Sequence, residues 1–288
     1  MKILITGSNG QLGNEIRALA GDYPGFDFLY TDIDELDITD PLKVDAFFRE
    51  NQPRAVINCA AYTAVDKAES DEPTAYLINA KAVENLSKSA AGIDALMVHI
   101  STDYVFDGNS PVPYNETDLT NPQSAYGRSK LAGEEAVRNN AGKGIILRTS
   151  WLYSAFGNNF VKTMMRYGSE RDELKVVFDQ VGTPTYARDL AGTILDIIPS
   201  ALQNSGTELF HYSNEGVASW YDFAKTIMAL AGIECQIKPI LTKNYPLPAP
   251  RPCFSVLNKS KIKEIYKIEI PYWCDSVKHC IQRLQYEV

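Results

Sequence analysis

Residues 1–13 read MKILITGSNGQLG, and this stretch decides the fold. Residues 2–6 are predicted to form a buried strand, because the segment is short and largely apolar. The glycines that follow, Gly7, Gly10 and Gly13, have G-x-x-G-x-x-G spacing, a variant of the dinucleotide-binding fingerprint. In that fingerprint one glycine makes a tight turn, one lets the backbone approach a pyrophosphate and one lets the helix pack on the sheet. The stretch therefore predicts a strand, a phosphate-binding turn and a helix.

An acidic cluster follows the second predicted strand, residues 26–30. An acid about 20 residues after the last glycine commonly binds the adenosine ribose hydroxyls, and Asp32 lies at that place. Its charge disfavours a 2′-phosphate, so Asp32 favours NADH over NADPH. Because further acids follow closely, the assignment stays open among these neighbours. Asp37 and Ile38, in the same segment, are predicted to flank the adenine.

Composition and charge exclude several classes of protein. The 288 residues carry a formal net charge of −8 without a basic run, which disfavours nucleic-acid binding because phosphate contacts need clustered cations. No apolar run reaches the roughly 18 residues of a membrane span, and no signal peptide is expected at the start. The five scattered cysteines form no C-x-x-C pair, which predicts reduced thiols in a cytoplasmic protein. Three histidines without ligand-type spacing predict no zinc site.

Short apolar strands alternate with amphipathic helices through the first half of the chain. The predicted strands are 2–6, 26–30, 55–58, 95–100 and 144–148, and the predicted helices are 11–19, 41–50, 74–91 and 124–139. This alternation predicts right-handed βαβ units, and so an α/β fold with a Rossmann-type doubly wound parallel sheet. Residues 1–150 are predicted to be the NAD(P)-binding domain. Residues 151–288 are predicted to be mainly a smaller substrate-binding lobe, with some segments, for example 176–178, returning to the sheet.

A proline-rich stretch, NYPLPAPRP, occupies residues 244–252. Proline lacks the backbone donor, so this stretch fits neither a helix interior nor a central strand. It predicts a loop that crosses the surface or closes over a site.

Two groups of polar residues in the middle of the chain point to one reaction. Ser101 and Thr102 follow the apolar stretch ALMVHI, so Thr102 is predicted at the carboxyl end of a strand, where ligands bind in parallel sheets. Tyr126 and Lys130, in YGRSK, are four residues apart and share one face of a predicted helix. Together with the glycine turn, this pattern predicts a catalytic group of Thr102, Tyr126 and Lys130.

The chemistry that suits these residues is reduction of a carbonyl group by a nicotinamide cofactor. Hydride addition to a ketone builds negative charge on the carbonyl oxygen, and a donor must neutralise that charge. A tyrosine with a pKa of about 10 exchanges protons slowly near neutrality. Lys130 is therefore predicted to lower the pKa of Tyr126 and to hold the nicotinamide ribose. Thr102 is predicted to donate a hydrogen bond to the same carbonyl oxygen.

Longer segments of the chain resemble one family. These segments are GSNGQLG, NCAAYTAVDKAE, HISTDYVFDG, YGRSKLAGE, LRTSWLY, GNNF, GTPT and PAPRP, and together they span nearly the whole chain. The chain resembles the extended short-chain dehydrogenase/reductase superfamily and, within it, the dTDP-4-dehydrorhamnose reductases. The resemblance implies reduction of the C4 keto group of dTDP-4-dehydro-β-L-rhamnose to dTDP-β-L-rhamnose, with NADPH or NADH, in the making of activated rhamnose for surface polysaccharide.

The resemblance also implies roles for residues at matching positions. The implied cofactor contacts are Asn9, Gly10, Gln11 and Leu12 at the diphosphate and Ala61, Tyr62 and Thr63 after the third strand, with Asn79 ordering that loop. The implied substrate contacts are Thr102, Asp103, Tyr104, Trp151 and Arg251. Tyr126 is the implied proton donor and Lys130 its partner. Arg251 is expected to reach the nucleotide diphosphate, as its charge and loop position suggest.

Two features depart from that family's pattern. Some members bind magnesium at a dimer interface through glutamates, and Glu15 matches one such position. Arg188 stands where a second glutamate is expected, so magnesium is doubtful, no metal site is predicted and a homodimer is left open. The family commonly uses NADPH, whereas Asp32 favours NADH, so use of either cofactor is expected.

Two alternative functions stay open at this point. The chain could be a reductase or epimerase of another nucleotide-linked deoxysugar, because the fold serves both reactions. It could also be a non-catalytic NAD(P)-binding regulatory subunit of another enzyme. Subunits of that kind typically lack the Tyr–Lys pair, which is intact here, and a panel of nucleotide ketosugars would separate the enzymatic alternatives.

Overall fold

A computed structural model describes residues 1–286 of the chain, and its elements alternate as the sequence predicts. The strands are β1 Lys2–Thr6, β2 Asp27–Tyr30, β3 Ala55–Asn58, β4 Leu96–Thr102, β5 Lys143–Thr149, β6 Leu152–Tyr153, β7 Glu173–Val177, β8 Val181–Gly182, β9 Thr185–Tyr186, β10 Gly206–His211, β11 Ala218–Ser219 and β12 Gln236–Ile240. The α-helices are α1 Gln11–Leu19, α2 Pro41–Asn51, α3 Val65–Ala68, α4 Glu72–Tyr76, α5 Ala82–Gly92, α6 Ala125–Asn140, α7 Phe160–Glu170, α8 Ala187–Ala201, α9 Trp220–Ala231, α10 Ser260–Tyr266 and α11 Trp273–Tyr286.

Six parallel strands form the central sheet, in the order β10-β5-β4-β3-β1-β2. The chain starts at β1, adds β2 on one side and then crosses to build β3, β4 and β5 on the other. Strand order therefore reverses beside β1, and ligands bind in sheets of this kind at the carboxyl ends next to such a reversal. The predicted Rossmann-type doubly wound sheet is confirmed.

Helices cover both faces of this sheet, because successive side chains of a strand point to opposite faces. On one face, Ile5 of β1 belongs to a buried cluster with Ile16 of α1 and Ile194 of α8. On the other face, Leu4 packs in a second cluster with Leu86 of α5. The strands are apolar on both faces for this reason, as parallel sheets require.

The later part of the chain builds a second core that lies beside the sheet. Its buried cluster joins Val161 of α7, Phe223 and Ile227 of α9 and Val277 of α11. The prediction that residues 176–178 return to the main sheet is wrong, because β7 pairs with β12 in a separate two-stranded sheet. Exposed Lys175 between buried Leu174 and Val176 suits such a sheet, which has one solvent face. The strand that joins the main sheet is β10, which pairs with β5.

The predicted helix 74–91 is interrupted by one π-helical turn, Leu77–Lys81, between α4 and α5. Such turns bulge the helix locally and often occur at functional sites. Here the turn contains Asn79, whose side chain is fully buried. No helix within residues 1–286 is both long and apolar enough to cross a membrane.

Candidate active site

The glycine turn after β1 is shaped for close backbone approach. Gly7 has φ of +61°, and a Cβ atom there would lie 2.6 Å from the backbone of Ala60. A Cβ atom on Gly13 would lie 2.5 Å from Ser8, so α1 could not pack as it does with a larger residue. Gly10 precedes α1, and no side chain caps the helix start. The amides at this end are therefore available to a diphosphate, as a dinucleotide cofactor requires.

Asp32 lies directly beside this turn, at the end of β2. Its carboxylate accepts hydrogen bonds from the amides of Asn9 at 3.0 Å and Ile33 at 2.9 Å. The residues predicted at the adenine follow: Ile38 is buried, and hydrogen bonds from Thr39 hold the pKa of Asp37 below its usual range. Of the predicted ribose and adenine residues, Asp32 is the one in direct contact with the glycine turn.

Asn79 fixes the loop that follows β3. Its Oδ1 atom accepts from the Tyr62 amide at 2.8 Å, and its Nδ2 atom donates to the Tyr62 carbonyl at 3.0 Å. The same Nδ2 atom donates to Ser129 Oγ of α6 at 2.9 Å. The π-helical turn therefore connects the loop of Ala61 to Thr63 with the helix that carries Tyr126.

Two caps position the start of α6. Ser124 Oγ accepts from the Gly127 amide at 3.1 Å, which is the bond expected of an N-cap serine. Glu69 Oε1 accepts from the Ala125 amide at 2.8 Å, although Glu69 lies 56 residues earlier in the chain. The helix start, and Tyr126 with it, is held against the segment that follows residues 61–63, which we call the cofactor loop because they are predicted to contact the cofactor.

Tyr126 meets the end of β4 at its hydroxyl group. It lies beside Thr102, whose Oγ1 atom donates to Asp103 Oδ1 at 3.0 Å. Burial raises the pKa of Tyr126 to about 12, although the Thr102 hydroxyl acts in the lowering direction. Burial also raises the pKa of Asp103 to about 6, although the nearby Ser255 hydroxyl and the hydrogen bond from Thr102 oppose the change. The structure brings together the phenol and the hydroxyl that the sequence singles out.

Lys130 is buried one turn further along α6. Its Nζ atom donates to the Ile100 carbonyl of β4 at 2.5 Å. Burial lowers the pKa of Lys130 to about 8, while the charge of Glu134 opposes that shift. The ammonium is directed at the Ile100 carbonyl, and burial of the phenol is the largest influence on the pKa of Tyr126 in this structure. Lowering of that pKa by Lys130 together with a bound nicotinamide stays a prediction.

A buried ionic network beneath this site was not predicted. Glu134, four residues beyond Lys130, accepts two bonds of 2.8 Å from Arg148 of β5 and one of 2.6 Å from Ser101. Tyr126, Lys130 and Glu134 therefore share one helix face through repeated four-residue spacing. The signal in the sequence was a glutamate continuing that spacing and an arginine inside an otherwise apolar strand.

A cavity of about 600 Å³ opens beside Tyr104, which follows β4. Tyr104 lines it and packs edge-on against Tyr126, with the ring centroids 5.6 Å apart. Three cationic side chains also line it: Arg171, Lys175 and Arg251. The cavity thus combines an aromatic wall with positive charge, and Tyr104 connects it to the Tyr126 ring.

Trp151 follows β5 in the left-handed backbone region, with φ of +47°. Its indole stacks on that of Trp220, with centroids 3.6 Å apart and an interplanar angle of 9°. Trp220 itself lines the cavity. A tryptophan rarely adopts positive φ, so this stack and the surrounding packing hold Trp151 in its conformation.

Asp66 is a second residue that sequence reasoning left out of the site. Its carboxylate accepts from the Ala249 amide at 3.1 Å and from Arg251 Nη2 at 2.8 Å. Arg251 also donates to the Ala249 carbonyl at 3.2 Å and lies 6.0 Å from the Tyr104 ring. The acidic residues of TAVDKAE indicated that this segment could pair with a cation. No spacing rule connects residue 66 with residue 251, so the partner could not be predicted.

Glu15, the position compared with a metal ligand, lies in an ion pair instead. Its buried carboxylate accepts from Arg283 at 2.8 and 3.0 Å and from Ser154 at 2.6 Å. Arg188 lies 3.7 Å away. Among residues 1–286, no three His, Cys, Asp or Glu side chains are grouped to hold a metal ion.

Comparison with known proteins places this geometry in one family. The family described as RmlD substrate binding domain has a model that matches residues 1–286. The chain belongs to this family. It is similar to the Escherichia coli K12 protein named dTDP-4-dehydrorhamnose reductase, with 42% identity covering 99% of this chain and 98% of that protein.

Solved structures agree with the RmlD-family assignment. A dTDP-4-dehydrorhamnose reductase from Clostridium acetobutylicum matches with a TM-score of 0.94 and 48% identity, over 99% of this chain and 100% of that one. A dTDP-4-dehydrorhamnose reductase from Bacillus anthracis, solved with NADP, has a TM-score of 0.94 and 38% identity over 98% and 99% of the two chains. The resemblance stated from the sequence is therefore confirmed.

Proposed function

We propose that this chain reduces the C4 keto group of dTDP-4-dehydro-β-L-rhamnose to dTDP-β-L-rhamnose, with NADPH or NADH as the reductant. The observation that carries the proposal is the contact of Tyr126 with Thr102 at the end of β4, with Tyr104 packed against Tyr126 on one side and lining the cavity on the other. This contact supports a proton donor at the strand end where the sugar carbonyl is proposed to lie.

Tyr126 is the proposed general acid. With its pKa raised to about 12, the phenol keeps its proton at neutral pH and can donate it to a developing alkoxide. When bound, the reduced nicotinamide supplies the hydride that adds to C4. Thr102 orients the Tyr126 hydroxyl. Lys130 holds positive charge beneath the phenol, which stabilises the phenolate left after proton transfer.

The proposed cofactor contacts follow the glycine turn and its neighbours. The amides of Gln11 and Leu12 at the start of α1 face the diphosphate, which Asn9 and Gly10 border, and the loop of Ala61 to Thr63 borders the nicotinamide half. Asp32 accepts from the adenosine ribose hydroxyls, with Asp37 and Ile38 at the adenine. The carboxylate of Asp32 favours an unphosphorylated ribose, so we propose that NADH is accepted as well as NADPH.

The cavity is the proposed place of the nucleotide-sugar. Arg171, Lys175 and Arg251 supply positive charge for the diphosphate, and Asp103 and Tyr104 face the sugar from the end of β4. Trp151 is proposed to pack against the deoxysugar ring through the face opposite Trp220. A nucleotide-linked substrate suits this combination of aromatic surface and cations better than a free sugar does.

A turnover assay with a panel of substrates tests the proposal. The panel contains dTDP-4-dehydrorhamnose, a UDP-linked 4-ketosugar and the free ketosugar, each with NADPH and with NADH. We expect the highest kcat/KM for the dTDP sugar and loss of reduced nicotinamide absorbance with either cofactor. Higher kcat/KM with another nucleotide ketosugar would contradict the substrate assignment.

A homodimer and a cytoplasmic location stay predictions from the sequence. Sedimentation equilibrium of the purified chain tests the first, and fractionation of cells that produce it tests the second.

A further inference from the structure

The proline-rich loop is tied down at both ends by carboxylates from other parts of the chain. We call residues 243–252 the strap. At its start, Asp179 accepts from the Thr242 amide at 2.8 and 3.1 Å and from Thr242 Oγ1 at 2.7 Å. At its end, Asp66 accepts from the Ala249 amide and from Arg251. Asp179 follows β7 in the substrate lobe, whereas Asp66 belongs to α3 beside the cofactor loop. The strap therefore bridges the two lobes.

The segment between these anchors crosses the cavity. Tyr245 and Leu247 line the cavity, yet 55% and 40% of their respective surfaces are exposed to solvent. Residues 243–248 are all exposed, and several of them are prolines or polar residues. Little apolar burial holds this segment down, so its position depends on the two anchors.

We propose that Asp66 is a positioning residue, whose carboxylate fixes Arg251 and the end of the strap over a bound nucleotide diphosphate. The inference rests on the proposed function and deepens it. Asp66 contacts Arg251 and the Ala249 amide and does not line the cavity, so we assign it no role at the reacting atoms. It acts through the guanidinium group, which offers five N–H donors.

The geometry of Arg251 supports this role. One N–H bond goes to Asp66 and one to the Ala249 carbonyl, so the plane of the guanidinium is fixed from two directions. The Arg251 side chain is 16% exposed, and it lines the cavity with Arg171 and Lys175. A fixed, planar donor group binds an anion with less loss of side-chain freedom than a mobile one.

If Asp66 acted only through its negative charge, its effect on diphosphate affinity would be opposite to that of positioning Arg251. A carboxylate near the cavity repels a diphosphate, and repulsion alone would make removal of its charge strengthen binding. Positioning through Arg251 makes the same change weaken binding. The direction of the change in dTDP affinity therefore separates the two roles.

Helix α3, which carries Asp66, also lies next to the cofactor loop and the start of α6. Asp66 is three residues beyond Thr63, and Glu69 on the same segment accepts from the Ala125 amide at the start of α6. One short segment thus holds the cofactor loop, the helix of Tyr126 and the strap. We expect a disturbed Asp66 to alter nucleotide-sugar binding more than the chemical step, because its partner lies in the strap.

Isothermal titration of the full chain with dTDP tests this role through Asp66→Asn, Arg251→Gln and the double variant. We expect each single variant to raise the dTDP Kd about tenfold or more, as for a lost charge-assisted hydrogen bond. The double variant should bind within about twofold of Arg251→Gln, because Asp66 acts through Arg251. Unchanged or tighter dTDP binding by Asp66→Asn would overturn the proposal.

Kinetics and matched variants separate positioning from general damage. Asp66→Asn should raise KM for the nucleotide-sugar with kcat within about twofold of wild type, and Asp66→Glu should recover part of the loss. The control is Asp94→Asn, which breaks an exposed pair with Lys143 at 2.8 Å, far from the strap. It should leave dTDP affinity and KM unchanged. A fall in kcat for Asp66→Asn as large as its rise in KM would contradict the positioning role.

Limited trypsin digestion keeps the inference testable if dTDP is not the ligand. Lys243 is exposed at the start of the strap, and Asp66→Asn should speed cleavage after it, relative to wild type and to Asp94→Asn. Wild-type chain that binds no dTDP would refute the proposed function, whereas unchanged cleavage in Asp66→Asn would refute the anchoring role on its own.

Discussion

Arg148 binds Glu134 through two hydrogen bonds of 2.8 Å each, and both side chains are buried beneath the helix that carries Tyr126. The pair joins β5 to α6 at the position one turn beyond Lys130. A planar guanidinium suits this two-point contact, which a lysine could not reproduce. The relationship fixes the helix on the sheet and sets the charge that faces Lys130.

Breaking this pair should destabilise the fold. Glu134→Gln leaves Arg148 charged and buried, and loss of one partner of a buried pair costs about 3–5 kcal/mol. We expect a decrease of that size in the free energy of unfolding, measured by urea denaturation. Asp94→Asn, at an exposed pair, should change it far less, because solvent screens exposed ion pairs. Equal effects of the two variants would contradict the account.

The protonation of Lys130 should limit activity at alkaline pH. Burial lowers its pKa to about 8, so the ammonium required beneath the phenol is lost as pH rises through that value. We expect kcat/KM to fall above about pH 8, since this constant reports the free enzyme. Glu134 raises the pKa of Lys130, so Glu134→Gln should move the decline to lower pH. If kcat/KM of Glu134→Gln declined at the same pH as that of wild type, Glu134 would not control the pKa of Lys130.

Asp103 should make stability depend on pH in the acid range. Its pKa is raised from 3.8 to about 6, so the folded state holds a proton that the unfolded state loses between these values. The free energy of unfolding of the wild type should therefore fall as pH rises from about 4 to 6, relative to Asp103→Asn. We expect the variant to gain up to about 3 kcal/mol by pH 7. Denaturant titrations of both proteins at pH 4 and pH 7 measure this difference in the free energy of unfolding. Equal stabilities relative to pH 4 for wild type and Asp103→Asn at pH 7 would contradict a cost of burying the Asp103 carboxylate.

Substitution of Gly13 in the glycine turn should be less well tolerated than substitution of Gly142, which lies outside the turn. Gly13→Ala would place a Cβ atom 2.5 Å from Ser8, whereas Gly142→Ala meets nothing within 4 Å. We expect Gly13→Ala to lose about 1–3 kcal/mol of stability through overpacking and to bind NADPH more weakly. Gly142→Ala should match wild type in thermal unfolding and in a fluorescence titration with NADPH. Normal cofactor affinity in Gly13→Ala would argue against a role of this turn in binding.

Local patterns predicted much of the fold because each depends on short-range physics. The glycine turn, the apolar strands and the four-residue spacing of Tyr126 and Lys130 all lie within single elements or at their junctions. The sheet, its order of helices and strands and the contact of Tyr126 with Thr102 follow from those patterns together with the rule that strand ends collect ligands.

Contacts between distant segments could not be predicted in the same way. Asp66 and Arg251 are 185 residues apart, and nothing in either segment specifies the other. The return of β10 to the main sheet, in place of residues 176–178, depends on which apolar strand is buried on both faces once the second lobe has formed. The raised pKa of Tyr126 likewise depends on burial that only the assembled site provides.

The most direct test of the central claim compares Tyr126→Phe with wild type in reduction of dTDP-4-dehydrorhamnose. We expect kcat to fall by about 10²–10⁴-fold, while the Kd for NADPH stays within about twofold, since the phenol supplies a proton and not the principal cofactor contact. Turnover by Tyr126→Phe close to that of wild type, with the same substrate and cofactor, would contradict the assignment of Tyr126 as the acid.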